Sequence, residues 1–167
     1  MEHQDLLVIF AEIAAAFVGF PMIVGALGRQ TQHSKLRRKF MADVALIGFF
    51  VLGGSLLPIV LHANGMNLAD IWRVSSLLLL IMWVTGYVMY LRALHRFQIP
   101  LLAVPLLPKA FVISGPVIVL IGNALLVWNV LLGGTGVAGR YLGALLILLL
   151  IATFLFLSGG FGDDEPD

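Results

Sequence analysis

Five long apolar runs, separated by short stretches that hold most of the charged residues, cover almost the whole chain. Each run contains about 20 residues, the length at which an α-helix crosses the roughly 30 Å hydrocarbon layer of a membrane. Because the connections are short, neighbouring helices are expected to be antiparallel and to form one bundle. The pattern predicts an all-α, polytopic membrane domain over residues 1–167, with transmembrane helices over 6–27, 42–62, 71–91, 110–132 and 137–157.

The composition agrees with a membrane protein and narrows the possible chemistry. The 167 residues are 60% hydrophobic and 11% charged, whereas roughly a quarter of the residues of a soluble domain are charged. The chain contains no cysteine, which excludes disulfides, thiol catalysis and cysteine-ligated metal centres. Its formal net charge is only +1, and its basic residues are confined to short stretches beside the spans, so we expect no nucleic-acid partner.

The basic residues predict the side of the membrane on which each connection lies. Eight of the ten lysines and arginines lie in the first and third connections between spans, and connections that stay in the cytoplasm accumulate such residues. We therefore expect the N-terminus outside, the C-terminus inside, and a multi-pass protein of the bacterial inner membrane. The first of these connections is also expected to contact anionic lipid headgroups through Arg29, Lys35, Arg37, Arg38 and Lys39.

Glu12 is the most informative polar residue inside a predicted span. A carboxylate at membrane depth is costly and is seldom turned toward lipid. Ala15, Ala16 and Gly19 follow it at spacings of three, four and seven residues, which return to one face of a helix. Small residues permit close packing of helices, so we expect this face, together with Glu12, to be buried against another span.

Four further polar residues are predicted to lie in the outer half of the bundle, two arginines at the level of Glu12 and two residues close to the outer boundary. They are His62, Asp70, Arg73 and Arg140. Two interpretations of this cluster remain open. Glu12 and an arginine can form an ion pair that sets the register of the helices, or they can line a cavity that binds a proton or an ion.

Two series of small or polar residues recur at seven-residue spacing, which keeps each series on nearly one face of its helix. Such a face supports tight helix packing or, in a symmetric assembly, lines a path for water. The series are Gly48, Ser55 and His62 in the second span, and Gly115, Gly122 and Asn129 in the fourth.

Prolines interrupt three of the predicted spans, at Pro21, Pro58 and Pro116. Each proline lacks the N–H that a helix uses, so a carbonyl one turn earlier loses its helical donor and the helix tends to kink. Kinks of this kind shape the packing of a bundle, and in some proteins they act as gates.

No catalytic or cofactor-binding motif is recognisable in the chain. It contains no nucleophile elbow, no zinc-binding HExxH sequence and no phosphate-binding glycine loop. None of its four histidines is spaced from another as a helical pair of ligands would be. We therefore expect no bound metal, no cofactor and no enzymatic activity.

Three functions are compatible with these features. The intramembrane Glu12, the faces of small residues and the proline kinks favour a homo-oligomeric channel or pore for ions or small solutes. The lack of a recognisable catalytic motif is also typical of a non-catalytic accessory or assembly subunit of a larger membrane complex. A small membrane enzyme or redox carrier is the third alternative, which a chromophore in the purified protein would reveal.

Overall fold

A computed structural model of the chain describes residues 3–27, 34–96 and 109–160. This part of the chain forms five α-helices and contains no β-strand, which confirms the predicted all-α architecture. The helices are α1 (Gln4–Leu27), α2 (Ser34–Ala63), α3 (Leu68–Arg96), α4 (Lys109–Leu131) and α5 (Val137–Gly160).

Four of the helices are long and apolar enough to cross a membrane, and the fifth contributes a shorter apolar stretch. Each of these stretches overlaps one of the predicted spans, so the protein is a multi-pass membrane protein whose membrane domain is a helical bundle. The four long stretches are Gln4–Pro21, Met41–Ala63, Leu68–Met89 and Val137–Leu157, and the shorter one is Val117–Leu131 in α4.

Two helices extend beyond the predicted spans into the basic connections. α2 begins at Ser34 and not at residue 42, and α3 continues to Arg96 and not only to residue 91. A helix satisfies its own backbone hydrogen bonds, so it can continue from the hydrocarbon layer into the headgroup region. Basic residues such as Lys35 and Arg92 therefore lie on helical turns and not in open loops.

Successive helices run in opposite directions around α2. This helix packs against α1, α3 and α5, while α4 packs against α3 and α5. At one end of the bundle α1, α3 and α5 begin and α2 and α4 finish, and there the rings of His3 and Trp72 lie 6.4 Å apart. We call this the outer end, following the orientation that the charge pattern predicts.

An apolar core fills the space between the helices. Trp72, Trp83 and Tyr141 contribute aromatic rings to it, and the rings of Trp72 and Tyr141 lie 5.6 Å apart. Because lipid chains are as apolar as leucine, the close fit of the side chains stabilises the bundle within the membrane more than exclusion from water does. The other buried members include Leu7, Val51, Leu79, Leu126, Leu145 and Leu148.

Glycines allow the helices to approach closely at two crossings. A β-carbon at Gly48 would lie 3.1 Å from Cβ of Phe17 and 3.2 Å from the carbonyl oxygen of Ala14, so α1 and α2 nearly touch backbone to backbone. A β-carbon at Gly122 would overlap the indole of Trp83, where α4 meets α3. The absence of a side chain at these two glycines therefore permits the close approach of the helices.

Candidate functional site

Asn129, in the last turn of α4, is the centre of a polar network at the outer end. Asn129 is buried there and donates from Nδ2 to Oγ of Ser76 at 3.1 Å and to the carbonyl oxygen of Val137 at 2.9 Å. Its Oδ1 accepts a hydrogen bond of 2.7 Å from Nε of Arg140. An amide in apolar surroundings needs such partners, because a buried unpaired polar group costs free energy. Asn129 thus links α3, α4 and α5.

Arg140 extends this network into the turn that follows α4. Besides Asn129, its guanidinium donates to the carbonyl oxygens of Gly133 and Thr135 in the turn between α4 and α5. It also lies over the indole of Trp128, 5.7 Å from the ring centroid. The last carbonyls of a helix lack intrahelical donors and carry partial negative charge, so a cation at this position stabilises the turn.

Arg73 reaches the same helix end from α3. Its Nε donates to the carbonyl oxygen of Val130 at 3.0 Å, and the side chain is otherwise exposed. Two guanidinium groups therefore lie at the C-terminal end of one helix. Neither of them forms an ion pair with a carboxylate of the described residues.

Asp70 and His62, the other members of the predicted cluster, lie apart from this network. The backbone N–H of Asp70 donates to Oδ1 of Asn67 at 3.0 Å, and the Asp70 carboxylate accepts a hydrogen bond from the Asn67 amide. This reciprocal pair caps the start of α3, where an acidic side chain is favourable. His62 is exposed in the last turn of α2.

Glu12 lies on the outside of the bundle and pairs with neither arginine. It is exposed on α1 together with Ala15 and Ala16, and Gly19 has open space where a β-carbon would stand. No residue in the described ranges donates to the Glu12 carboxylate. We call Glu12, Ala15, Ala16 and Gly19 the Glu12 face. We expected another span of the same chain to bury this face, but none of the described helices does so.

The Glu12 face stays exposed because α1 has small residues on two sides, and the other helices pack against the side that does not contain Glu12. Leu7, Ala11, Ala14 and Pro21 form the buried side, and Ala14 meets α2 at the close crossing beside Gly48. Sequence spacing identifies residues that share a face, but it does not identify the face that a neighbouring helix covers.

Most members of the two seven-residue series are used in packing within the chain. Gly48 and Gly122 lie at close helix crossings, and Ser55 is buried and donates to the carbonyl oxygen of Val51 at 2.7 Å. Asn129 belongs to the outer network. The surroundings of Gly115, in the first turns of α4, lie outside what the structure describes.

The side chains of the basic residues expected to contact lipid headgroups are not described, so that contact stays a prediction. Arg29 lies outside the described residues. Four others lie on the first turns of α2, whose side chains are not described: Lys35, Arg37, Arg38 and Lys39.

The outer network contains partners that the sequence does not reveal. Ser76 in α3 and Asn129 in α4 have no spacing relationship, because their contact depends on how two distant helices pack. Trp128, beneath Arg140, is recognisable from sequence only as an aromatic residue near the end of a span. In the described part of the chain, no group of three or more histidine, aspartate or glutamate side chains is arranged to hold a metal ion.

Comparison with protein-family models, with curated proteins and with solved structures finds no match to this chain. Two features of its own geometry remain as guides to function. One is the network of cations and amides at the outer end, and the other is the exposed carboxylate on α1.

Proposed function

We propose that this protein is a subunit of a homo-oligomeric cation channel of the bacterial inner membrane, with the Glu12 face of α1 turned toward neighbouring copies. The observation that carries the proposal is an exposed, unpaired carboxylate on a transmembrane helix. Glu12 has no partner among the described residues, although it lies within Gln4–Pro21, an apolar stretch long enough to cross a membrane.

The depth of Glu12 makes contact with lipid unfavourable. From Gln4, the first residue of α1, it is about 12 Å along the helix axis at a rise of about 1.5 Å per residue. An acidic side chain at the centre of a membrane helix costs about 3 kcal/mol, and the cost falls toward the ends. An assembly that surrounds Glu12 with water or with hydrogen-bond donors removes this cost.

The rest of the Glu12 face suits contact between helices of different copies. Ala15 and Ala16 are exposed, and nothing lies within 4 Å of the position that a β-carbon at Gly19 would take. Small side chains allow the backbones of two helices to approach closely. The face therefore combines a polar group with a surface that another helix can reach.

A path for ions would have to lie between copies, because side chains fill the interior of the single bundle. Leu79, Trp83 and Leu145 pack together there. In a ring of identical subunits the same face of each copy can be turned toward a shared axis. A ring of carboxylates around that axis concentrates cations, so we expect the channel to prefer cations.

Ion flux through reconstituted protein tests this function. Purified protein in liposomes should dissipate a potassium gradient, and Glu12→Gln should reduce both the flux and its preference for cations. Asp70→Asn is the matched control, because Asp70 is also acidic but caps the start of α3. Liposomes that contain the parent protein and are as tight as protein-free liposomes would rule out the channel.

Contact between copies can be tested separately, because the chain contains no cysteine. On oxidation in membranes, Ala15→Cys should form a disulfide-linked dimer. Leu150→Cys is the control, since Leu150 is also exposed but belongs to a different helix, α5. Cross-linking through Leu150→Cys but not through Ala15→Cys would mean that copies meet through a different surface.

A groove beside the Glu12 face favours a second function. In this alternative the protein is a non-catalytic subunit that binds a helix of a different membrane protein. The groove has a volume of about 420 Å³, is apolar, and is lined by Ala16 of the Glu12 face together with Ile13, Phe20 and Phe156. A helix from another protein can insert apolar side chains here while a basic residue pairs with Glu12. Tight liposomes, together with a membrane protein that co-purifies with the parent but not with Glu12→Gln, would favour this function.

A further inference from the structure

Two arginines at the outer end lack an anionic partner within the described chain. Arg73 and Arg140 bind adjacent residues of α4, through the Val130 carbonyl oxygen and the Asn129 side chain. Asp70, one turn before Arg73, is engaged with Asn67 instead. The end of a helix carries about half a negative charge, so the two guanidinium groups outweigh the helix end and the single Asp70 carboxylate together.

The two guanidinium groups have unused donors. A guanidinium has five N–H groups. Arg73 uses only its Nε–H among the described residues, whereas Arg140 uses one N–H on each of its three nitrogens. Arg140 is therefore held firmly by Asn129 and by the turn that follows α4, whereas Arg73 presents four N–H groups at the surface.

This cluster lies near the outer ends of its helices, where lipid phosphates are expected. Arg73 lies in the second turn of α3 and Arg140 in the first turn of α5. The exposed indole of Trp128 lies beside Arg140, and tryptophan is enriched at the boundary between headgroups and hydrocarbon. Leu131 and Leu132, about 70% exposed, provide apolar surface at the same helix end.

We propose that Arg73 and Arg140 form a binding site for the phosphate of an anionic phospholipid in the outer leaflet. Phosphate oxygens accept the paired N–H groups of a guanidinium with good geometry. The excess positive charge favours a lipid with net negative charge over a zwitterionic one, whose own cation would approach the arginines. This site differs from the basic connections at the inner end, and it does not depend on the proposed channel.

Lipid retention by purified protein tests the site. In native mass spectrometry, the parent should retain phosphatidylglycerol more strongly than phosphatidylcholine. Arg73→Gln should retain it about tenfold less, the change expected when one charge-assisted hydrogen bond of about 1.4 kcal/mol is lost. Arg92→Gln is the matched control, because Arg92 is exposed on the same helix at the opposite end.

A second variant separates binding from folding. Arg73→Lys and Arg73→Gln both lose the Nε–H that donates to Val130, but only Arg73→Gln loses the charge. Arg73→Lys should therefore retain more phosphatidylglycerol than Arg73→Gln. Equal losses in both variants, or equal retention of the two lipids by the parent, would overturn the proposal. Inorganic phosphate serves as a further probe, and displacement of the lipid by millimolar phosphate would identify a site for a free anion instead.

Discussion

The phenol of Tyr141 donates a hydrogen bond of 2.7 Å to the carbonyl oxygen of Gly54, and this bond joins α5 to α2 in the core. In a regular helix that carbonyl would accept the N–H of residue 58, but Pro58 has none. Tyr141 therefore supplies from another helix the donor that the proline removes. Gly54 permits this approach, since a β-carbon there would already lie 3.0 Å from Leu145.

Removing the phenolic hydroxyl should destabilise the bundle while preserving its packing. Tyr141→Phe keeps the ring against Trp72 but leaves the Gly54 carbonyl unpaired in apolar surroundings. We expect a loss of about 1–2 kcal/mol in the free energy of unfolding, measured by denaturant titration in mild detergent.

A double-mutant cycle with Pro58→Ala tests the cause of that loss. Alanine at 58 restores a backbone N–H to Gly54, so Tyr141→Phe should cost less in the Pro58→Ala background than in the parent. If Tyr141→Phe costs the same in both backgrounds, the hydroxyl does not compensate for the proline.

A side chain at position 122 should lower the stability of the bundle, because the Trp83 indole occupies the space that a β-carbon at Gly122 would take. Gly122→Ala is expected to lower the free energy of unfolding by about 1–3 kcal/mol, the usual cost of overpacking a core. Gly139→Ala in α5 is the control, since nothing lies within 4 Å of its β-carbon position, and it should be neutral or slightly stabilising. Similar melting temperatures for the two variants would contradict the observed packing of α4 on α3.

Arg140 and Arg73 should differ in their contribution to stability, although both contact the end of α4. Arg140→Gln removes hydrogen bonds to Asn129, Gly133 and Thr135, so we expect a loss of about 3 kcal/mol or more. Arg73→Gln removes one partly exposed bond to Val130, with an expected loss of about 1 kcal/mol. Thermal melting of the two variants in one detergent compares them, and equal losses would contradict the role of Arg140 in holding the turn between α4 and α5.

Cysteine labelling tests the orientation in the membrane, because the parent offers no thiol. Asn64→Cys and Thr135→Cys place a thiol at exposed positions in the two outer connections. A membrane-impermeant reagent should label both in intact cells, and a cytoplasm-specific reporter fused after Asp167 should be active. Labelling of both thiols only after the cells are lysed would reverse the predicted orientation.

The sequence alone determined the class of the protein, the number of helices and the approximate bounds of the spans. Each of these depends on one segment at a time, because a long apolar run satisfies its backbone hydrogen bonds as a helix whatever its neighbours are. The ends of α2 and α3 were less predictable, since their polar turns continue as helix beyond the hydrocarbon layer.

The tertiary structure decided which residues meet. The sequence indicated that Glu12 shares a face with small residues, but α1 also carries Ala11 and Ala14 on its other side, and α2 covers that side. It likewise indicated Arg73 and Arg140 as outer residues without revealing that Asn129 and the end of α4 would bind them. Hydrophobic length is a property of each helix by itself, whereas contacts depend on the rotation and crossing of helices, which many side chains determine together.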